Sequence, residues 1–443
     1  MIKTENITQD NKIIDDVSEE LNQGTLQQLK EKLAKKKEKD MTINIVAPVK
    51  RSIKFGVIGT GQAGTRLAEQ YYSLGYPAVA FNTAPQDLEH IRMPEENKYL
   101  LEYSLGGAAK DLEIGREAAE QHKEAIYALV TEKLEEAQAF ILCTSLGGGS
   151  GAGSLPVMID VLSALGKPIV VMAVLPMSSE DAQTKKNALE TLSTLSKEAQ
   201  TKRIHNLVVV DNAKIETIYS DVSPMEFFNV SNKAIISTIN AFNELSSLPS
   251  SMKPLDPMEF TKLLIDGSGC SVYGEVIVSD YQDETAISEA IINVNSGLLA
   301  SGFDIKQAKY VGVIIEANKS VWDKIPSSSL NYANSLILEL CDIPTGIFRG
   351  TYATDLKDDV VKVYSMFSGL GLPESRVSQL KKEAQEFASK VKTKDAERTV
   401  NLKLDTGTDD TVSSADKVRQ KIAAKKSAFG SMIGNIAQDK RKK

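Results

Sequence analysis

The chain is poor in cysteine: Cys143, Cys270 and Cys341 are the only three in 443 residues. Their odd number and wide spacing exclude a disulfide framework and a cysteine metal cluster, and point to a reducing cytoplasm. No apolar run approaches the roughly 18 residues that a membrane span needs, so a membrane-spanning protein is excluded. The N-terminus is mixed in charge and has no apolar signal-peptide core. An excess of positive charge is missing too. The net charge of -7 argues against a protein that coats nucleic acid with its whole surface, while leaving room for a local basic tail. Gly-Lys-Ser and Gly-Lys-Thr are both absent, which excludes a P-loop. What remains, 42% hydrophobic and 25% charged residues, suits globular domains with full cores, and the length allows two of them plus tails.

The feature that stands out is Gly147-Gly148-Gly149-Ser150-Gly151-Ala152-Gly153, five glycines in seven positions. An apolar run, Ala139–Leu142, leads into it and an apolar helical pattern, Leu155–Leu165, leads out. Glycine is costly in backbone entropy, so such a cluster needs a reason beyond reversing the chain. A side-chain-free turn before a helix lets backbone N–H groups converge on an anion, which makes phosphate cradling the first candidate.

In chain order, residues 1–50 read as a charged extension with a short amphipathic helix at Leu26, Leu29 and Leu33 and a lysine-rich run from Lys35. Residues 51–225 alternate strands (Ile53–Ile58, Val79–Phe81, Phe140–Leu142, Ile169–Leu175, Leu207–Val210) with helical stretches, one of them Ala118–Glu136. That pattern predicts a parallel sheet with helices on both faces and a ligand beyond the carboxyl ends of the strands. Phe227–Leu245, in a segment placed at 226–250, reads as one long central helix with Ile235, Ile236, Ile239 and Phe242 on its apolar stripe. Residues 251–385 form a smaller mixed α/β domain, with strands at Cys270–Ser279, Tyr310–Ala317, Gly346–Tyr352 and Val360–Phe367. Residues 386–443 are a flexible basic tail; from 414 onward it holds nine Lys/Arg against two Asp.

Gly59-x-Gly61-x-x-Gly64 fits a dinucleotide fingerprint, but the second strand ends in Asn82-Thr83, without the acid that would hold a ribose. The glycine run instead resembles the signature loop of the tubulin/FtsZ superfamily of GTPases, with Ala152 standing where a hydroxyl is common. Gly61-Gln62-Ala63-Gly64 is identical to the first phosphate loop of eukaryotic tubulins. Asn82-Thr83 with Asp87, and Gly106-Gly107-Ala108-Ala109 before Asp111 and Gly115-Arg116, are similar to the second and third loops of FtsZ. Pro176–Glu180 occupies the ribose-loop position, Asp211-Asn212 that of the purine loop, and Phe228 and Asn232 lie four apart on the central helix. The resemblance covers about residues 53–370. It implies a tubulin/FtsZ-like fold: a Rossmann-like GTP-binding domain, a central helix and a smaller C-terminal domain.

It also implies GTP/GDP and Mg²⁺ as ligands. Gly61, Gln62, Ala63, Gly64, Asn82, Thr83, Gly107, Ala108, Ala109, Gly147, Gly148, Gly149, Ser150 and Gly151 are expected around the phosphates, Gln62 with an indirect metal role. Glu180 is expected at the ribose, and Asn212, Phe228 and Asn232 at the guanine. In the family the catalytic carboxylates come from the next subunit; here they are Asp256 and Glu259, with Pro254 where FtsZ-type loops have Asn. The implied activity is GTP hydrolysis coupled to head-to-tail polymerisation. Three roles stay open: a cytomotive filament moving plasmid or phage DNA, a division- or shape-type FtsZ homologue, and a paralogue that binds nucleotide without hydrolysing it. The basic tail, with Lys417, Arg419, Lys421, Lys425, Lys426, Phe429, Met432 and Ile433, is expected to engage an adaptor protein, DNA or an anionic membrane, or else to stay solvated.

Overall fold

The computed structural model describes residues 49–397, apart from 104, 105 and 224. The expected N-terminal helix and the basic tail from Lys417 lie outside the described residues. The chain divides after Ala388. Of the second unit only the end of the last helix is described, and everything below concerns the first.

Ten strands form one sheet: β1 (Phe55–Thr60), β2 (Ala78–Asn82), β3 (Lys98–Leu100), β4 (Ala139–Ser145), β5 (Ile169–Leu175), β6 (Asn206–Asp211), β7 (Cys270–Val278), β8 (Tyr310–Asn318), β9 (Gly346–Thr354) and β10 (Val361–Leu370), in the order β3-β2-β1-β4-β5-β6-β7-β10-β8-β9. The pairings from β3 to β7 are parallel; β10 runs antiparallel to both β7 and β8. Strands such as β5 are apolar along their whole length because helices cover both faces, so no position is left for water. The two sequence patterns share this sheet through only two residue pairs, Leu207 with Cys270 and Val208 with Ser271. The strand order reverses between β1 and β4, and the loops leaving these two strands therefore open into one crevice.

The helices that matter here are α1 (Gly61–Ser73), α2 (Leu112–Gln121), α3 (Lys123–Lys133), α4 (Gly149–Ala164), α5 (Ala182–Gln200), α6 (Asn212–Ile218), α7 (Phe227–Leu245), α8 (Pro257–Leu264), α9 (Ala286–Ile292), α10 (Ser327–Glu339) and α11 (Glu374–Glu397). Two sequence expectations need correcting, and one short strand was not among them. The single helix over Ala118–Glu136 is two, broken at His122, whose ring nitrogens are engaged by the Tyr99 hydroxyl and the Glu102 carbonyl. Strand β3 is only three residues long, too short for an alternation to show. The glycine run is not a turn before a helix at Leu155, since α4 begins at Gly149 and most of the run is its first turns.

That last correction changes what the glycines do. A Cβ on Gly153 would stand 2.3 Å from the Leu112 carbonyl oxygen and 2.9 Å from Gly115 Cα, so α4 and α2 meet backbone to backbone. A Cβ on Gly64 would stand 2.2 Å from the Cys143 carbonyl oxygen, so α1 lies equally close on the end of β4.

The central helix α7 buries the expected stripe, Ile235, Ile236, Ile239 and Phe242. Near its end, Asn243 accepts from Ile53 N–H (2.8 Å) and donates to Ile53 C=O (3.0 Å), imitating a strand partner just before β1. Phe242 stacks on Phe260 of α8 (5.9 Å between ring centres), and Phe260 meets Phe55 edge-on. The far end of α7 is thereby fixed at the amino-terminal edge of the sheet. No helix among the described residues is long and apolar enough to cross a membrane.

Gly153→Ala tests the contact. In an open helix this change gains about 1 kcal/mol; here it is expected to cost about 1–3 kcal/mol through overpacking, read as a lower midpoint of chemical unfolding.

Candidate functional site

Beyond the carboxyl ends of β1, β4, β5 and β6 lies an open cleft of about 540 Å³. Its walls are Gly61–Ala63 of α1, Ala84 and Asp87, the Gly107–Lys110 loop, Ser145, the Gly147–Gly151 segment, Val174–Met177 with Glu180, Thr184, Asn212 and Phe228. Both α1 and α4 start at the cleft, and the N–H groups of a helix's first turn have no partner within the helix. Two such starts, side by side, give a concentration of backbone donors with the positive ends of two dipoles behind them. Gly61 takes φ +69°, open to glycine at little cost, and a Cβ there would stand 2.6 Å from Gly151 N.

The third loop adds donors by another route. Gly106, Gly107, Ala109 and Lys110 all have positive φ, two of them without the freedom of glycine. Among the described residues, Lys110 is the only cationic side chain on the cleft wall, and it is paired with Asp181. The Lys110 ammonium is the main influence that holds the Asp181 carboxyl down at about 2, aided by the Thr184 N–H that this helix-capping carboxylate accepts (2.8 Å). A depressed pKa means that the tie is intact above the ordinary carboxylate range and is lost only as pH falls towards 2. Asn187, buried on α5, donates to the Lys110 carbonyl (2.7 Å) and to the Gly147 carbonyl (3.2 Å), locking two loops together. Neither Lys110 nor Asn187 was identified from sequence. A polar residue on a polar helix gives no sign of its partners in distant loops.

Most of the expected site residues meet at this cleft: Gly61, Gln62, Ala63, Gly107, Ala108, Ala109, Gly147, Gly148, Gly149, Ser150, Gly151, Glu180, Asn212 and Phe228 line it. Gly64, Asn82, Thr83 and Asn232 do not. Thr83 is buried behind the wall, its hydroxyl 2.5 Å from that of Ser150. Asn82 is also buried and donates to Asp87 (3.0 Å), which accepts from Gln62 as well (3.2 Å). Ala152, the departure from the signature, faces a different hollow between α2, α4 and α5, away from the cleft. Glu180 accepts from Met177 N–H (3.2 Å), closing its own loop.

Asp256 and Glu259 are elsewhere. α7 starts at the cleft with Phe228 and runs 19 residues, about 28 Å at 1.5 Å per residue, to the opposite edge of the sheet. The loop that follows is anchored by Tyr352, whose hydroxyl accepts from Leu255 N–H (2.7 Å) and donates to Leu255 C=O (3.3 Å). Asp256 then caps α8 by accepting from Met258 N–H (2.7 Å), and Glu259 returns to Asp256 N–H (2.9 Å), a capping box. Asp256 and Met258 are exposed on this rigid turn.

Comparison with known proteins agrees with the geometry. Residues 54–220 match the tubulin/FtsZ family GTPase domain, and residues 241–381 match the C-terminal domain of the tubulin/FtsZ-like protein TubZ. The chain belongs to the tubulin/FtsZ family, a family of filament-forming GTPases. It is 24% identical to the tubulin-like protein TubZ of Bacillus cereus over 375 residues (76% of this chain, 86% of the relative). It is 28% identical to the tubulin-like protein CetZ of Pyrococcus furiosus over 349 residues (75% and 90%). Its fold is similar to TubZ of Bacillus thuringiensis serovar israelensis, solved as a GTPγS-form protofilament (TM-score 0.68, 21% identity, 79% and 95% coverage).

A stacking role for Phe228, 47% exposed with Arg66 5.7 Å from its ring, makes a clean prediction. Phe228→Ala should weaken GTP and GDP binding equally, by about tenfold on the scale of base–aromatic stacking, with no change in melting temperature. Fluorescence titration with labelled nucleotide measures the first and thermal unfolding the second.

Proposed function

We propose that this protein is a cytoplasmic GTP-driven filament former that moves or positions plasmid or phage DNA, each GTP being hydrolysed with help from the next subunit. The observation that carries the first part is the separation just described. Among the described residues, the cleft wall has two carboxylates, and both are engaged: Asp87 by Asn82 and Gln62, Glu180 by its own loop. Asp256 and Glu259 stand on a rigid exposed turn at the opposite edge, where a cleft on another copy can meet them. Head-to-tail contact of this kind does not close on itself and propagates as a filament.

In this reading the backbone of Gly61–Ala63, Gly107–Ala109 and Gly147–Gly151 cradles the phosphates, Glu180 faces the ribose, and Asn212 with Phe228 holds the base. Gly64, Asn82 and Thr83 support the wall from behind. Asp256 orients the attacking water and Glu259 assists. A hard divalent ion such as Mg²⁺ suits the oxygen donors of Asp87, Gln62 and Ser150. The described residues contain no cluster of three or more His, Cys, Asp or Glu able to hold a metal, so phosphate oxygens and water would supply the other ligands. When bound, such an ion neutralises charge developing on the transferred phosphoryl group. What supports the DNA-moving role is the basic tail from Lys417 together with the similar fold of a TubZ described as a type III plasmid segregation protein. The similarity to a relative named cell division protein FtsZ 1 keeps a shape- or division-type role as the second reading. An adaptor or DNA partner for the basic tail would separate them.

Asp256→Asn is the decisive variant, because asparagine caps a helix about as well as aspartate but cannot act as a carboxylate. Expected are filaments that assemble with GTP, seen by light scattering and electron microscopy, and phosphate release reduced about a hundredfold or more. Wild-type phosphate release should rise with a threshold in protein concentration. Release that is linear in concentration, or unaffected by the substitution, overturns completion of the site by a neighbour.

A further inference from the structure

One buried charge network touches the cleft from outside it. Arg376, in the first turn of α11, is 3% exposed, and its partner Asp211 at the end of β6 is 2% exposed. The guanidinium donates from Nε to Asp211 (2.7 Å), and from Nη2 to Asp211 (3.3 Å) and to the Pro176 carbonyl (3.2 Å). Asp211 also accepts from Ala213 N–H (3.1 Å), capping α6, whose first residue is Asn212. Pro176 opens the loop that ends in Glu180. Two turns along α11, Glu383 lies 3.5 Å from Arg376 Nη1 and 3.0 Å from the Lys185 ammonium, which itself donates to the Ser178 carbonyl (2.7 Å) in that same loop.

We propose that Arg376 is a positioning residue for the base and ribose half of the cleft, so that the C-terminal helix sets guanine affinity and selectivity in a site it does not line. This rests on the nucleotide reading above. A single planar fork spans the loops after β5 and β6, the two that carry Glu180 and Asn212, and fixes their separation. Lysine has the charge but not the fork, and cannot hold a carboxylate and a carbonyl at set angles together. Burial raises the Asp211 carboxyl above its usual range, and Arg376 is the strongest influence opposing that rise. A charged pair this deep adds little stability compared with a packed apolar pair, so its value lies in the geometry it imposes. The phosphate half of the cleft is built from other ties, Asn187 and the glycine contacts, none of which involves a residue of α11.

The test compares Arg376→Lys with the double variant Arg376→Met/Asp211→Asn, which leaves no unpaired buried charge and keeps a helix-capping residue. Dissociation constants are measured by titration calorimetry on the full chain for GTP, GDP and inosine triphosphate, which lacks the guanine 2-amino group. Both variants are checked for folding by thermal unfolding. The expected result is a loss of about tenfold for GTP and for GDP, as when hydrogen bonds to a charged group are lost. The GTP:GDP ratio should stay at its wild-type value while the preference for GTP over inosine triphosphate falls. Glu383→Gln, at a partly exposed position, should shift affinity the same way by less. Folded variants with wild-type affinities overturn the proposal, and so does a changed GTP:GDP ratio, which would mean general distortion of the cleft. Wild-type protein that binds GTP no better than inosine triphosphate overturns the parent reading of the base site as well.

Discussion

Close approach of backbone to backbone, with no Cβ between, is the constraint on which the rest of this molecule depends. Gly64 lies against the carbonyl of Cys143, Gly61 against Gly151, and Gly153 against Leu112 and Gly115. Together these contacts bring the starts of α1 and α4 side by side at the point where the strand order reverses. The anion-binding character of the cleft is a consequence of that packing. Among the described residues its wall carries one cationic side chain, Lys110, already tied to Asp181, so attraction for phosphate rests on backbone donors and helix dipoles. Such donors are held in place by the fold and need little reorganisation when an anion arrives.

A second set of contacts turns this local geometry into a property of the whole unit. The central helix α7 is a strut with a different task at each end. Phe228 faces the cleft, while Asn243 and Phe242 fasten the far end to Ile53 and Phe260. Because α7 is held at both edges of the sheet, the turn bearing Asp256 cannot swing back to the cleft of its own chain. The distance is a helix length, and on the reading proposed above a second molecule closes it.

Much of this was legible in the sequence because it rests on local pattern. The apolar runs of β4, β5 and β6 announce buried parallel strands, and the stripe of α7 was read with its ends at Phe227 and Leu245. The glycine run marked the cleft correctly, although part of its cause was misjudged: Gly153 serves helix packing, and only the stretch from Gly147 to Gly151 faces the cavity. What stayed hidden depends on residues far apart in the chain. Asn187 reaches back to Lys110 and Gly147, Arg376 reaches Asp211, and Tyr352 holds Leu255. None of these has a spacing or motif that announces it. Thr83 and Asn82 show the converse, since the family resemblance implied direct contact, yet both are buried one layer behind the wall.

The capping box at α8 bears on how a carboxylate can serve structure and chemistry at once. Asp256 Oδ1 accepts from Met258 N–H, which fixes the side-chain torsion and aims the carboxylate without help from a neighbour. Glu259 holds the backbone of Asp256 in place from the other side. Tyr352 pins Leu255, the residue before, by both of its backbone groups. Pro254, just before Leu255, has its own φ fixed by its ring, and Pro257 presets the first residue of α8. A group that must orient water in another subunit's site gains no guidance from that site until the two have docked. Its orientation therefore has to be set within its own chain beforehand, and a helix cap braced by two prolines and a buried tyrosine does this. On the reading proposed above, the cap is the means by which a catalytic geometry is carried on a surface to a partner.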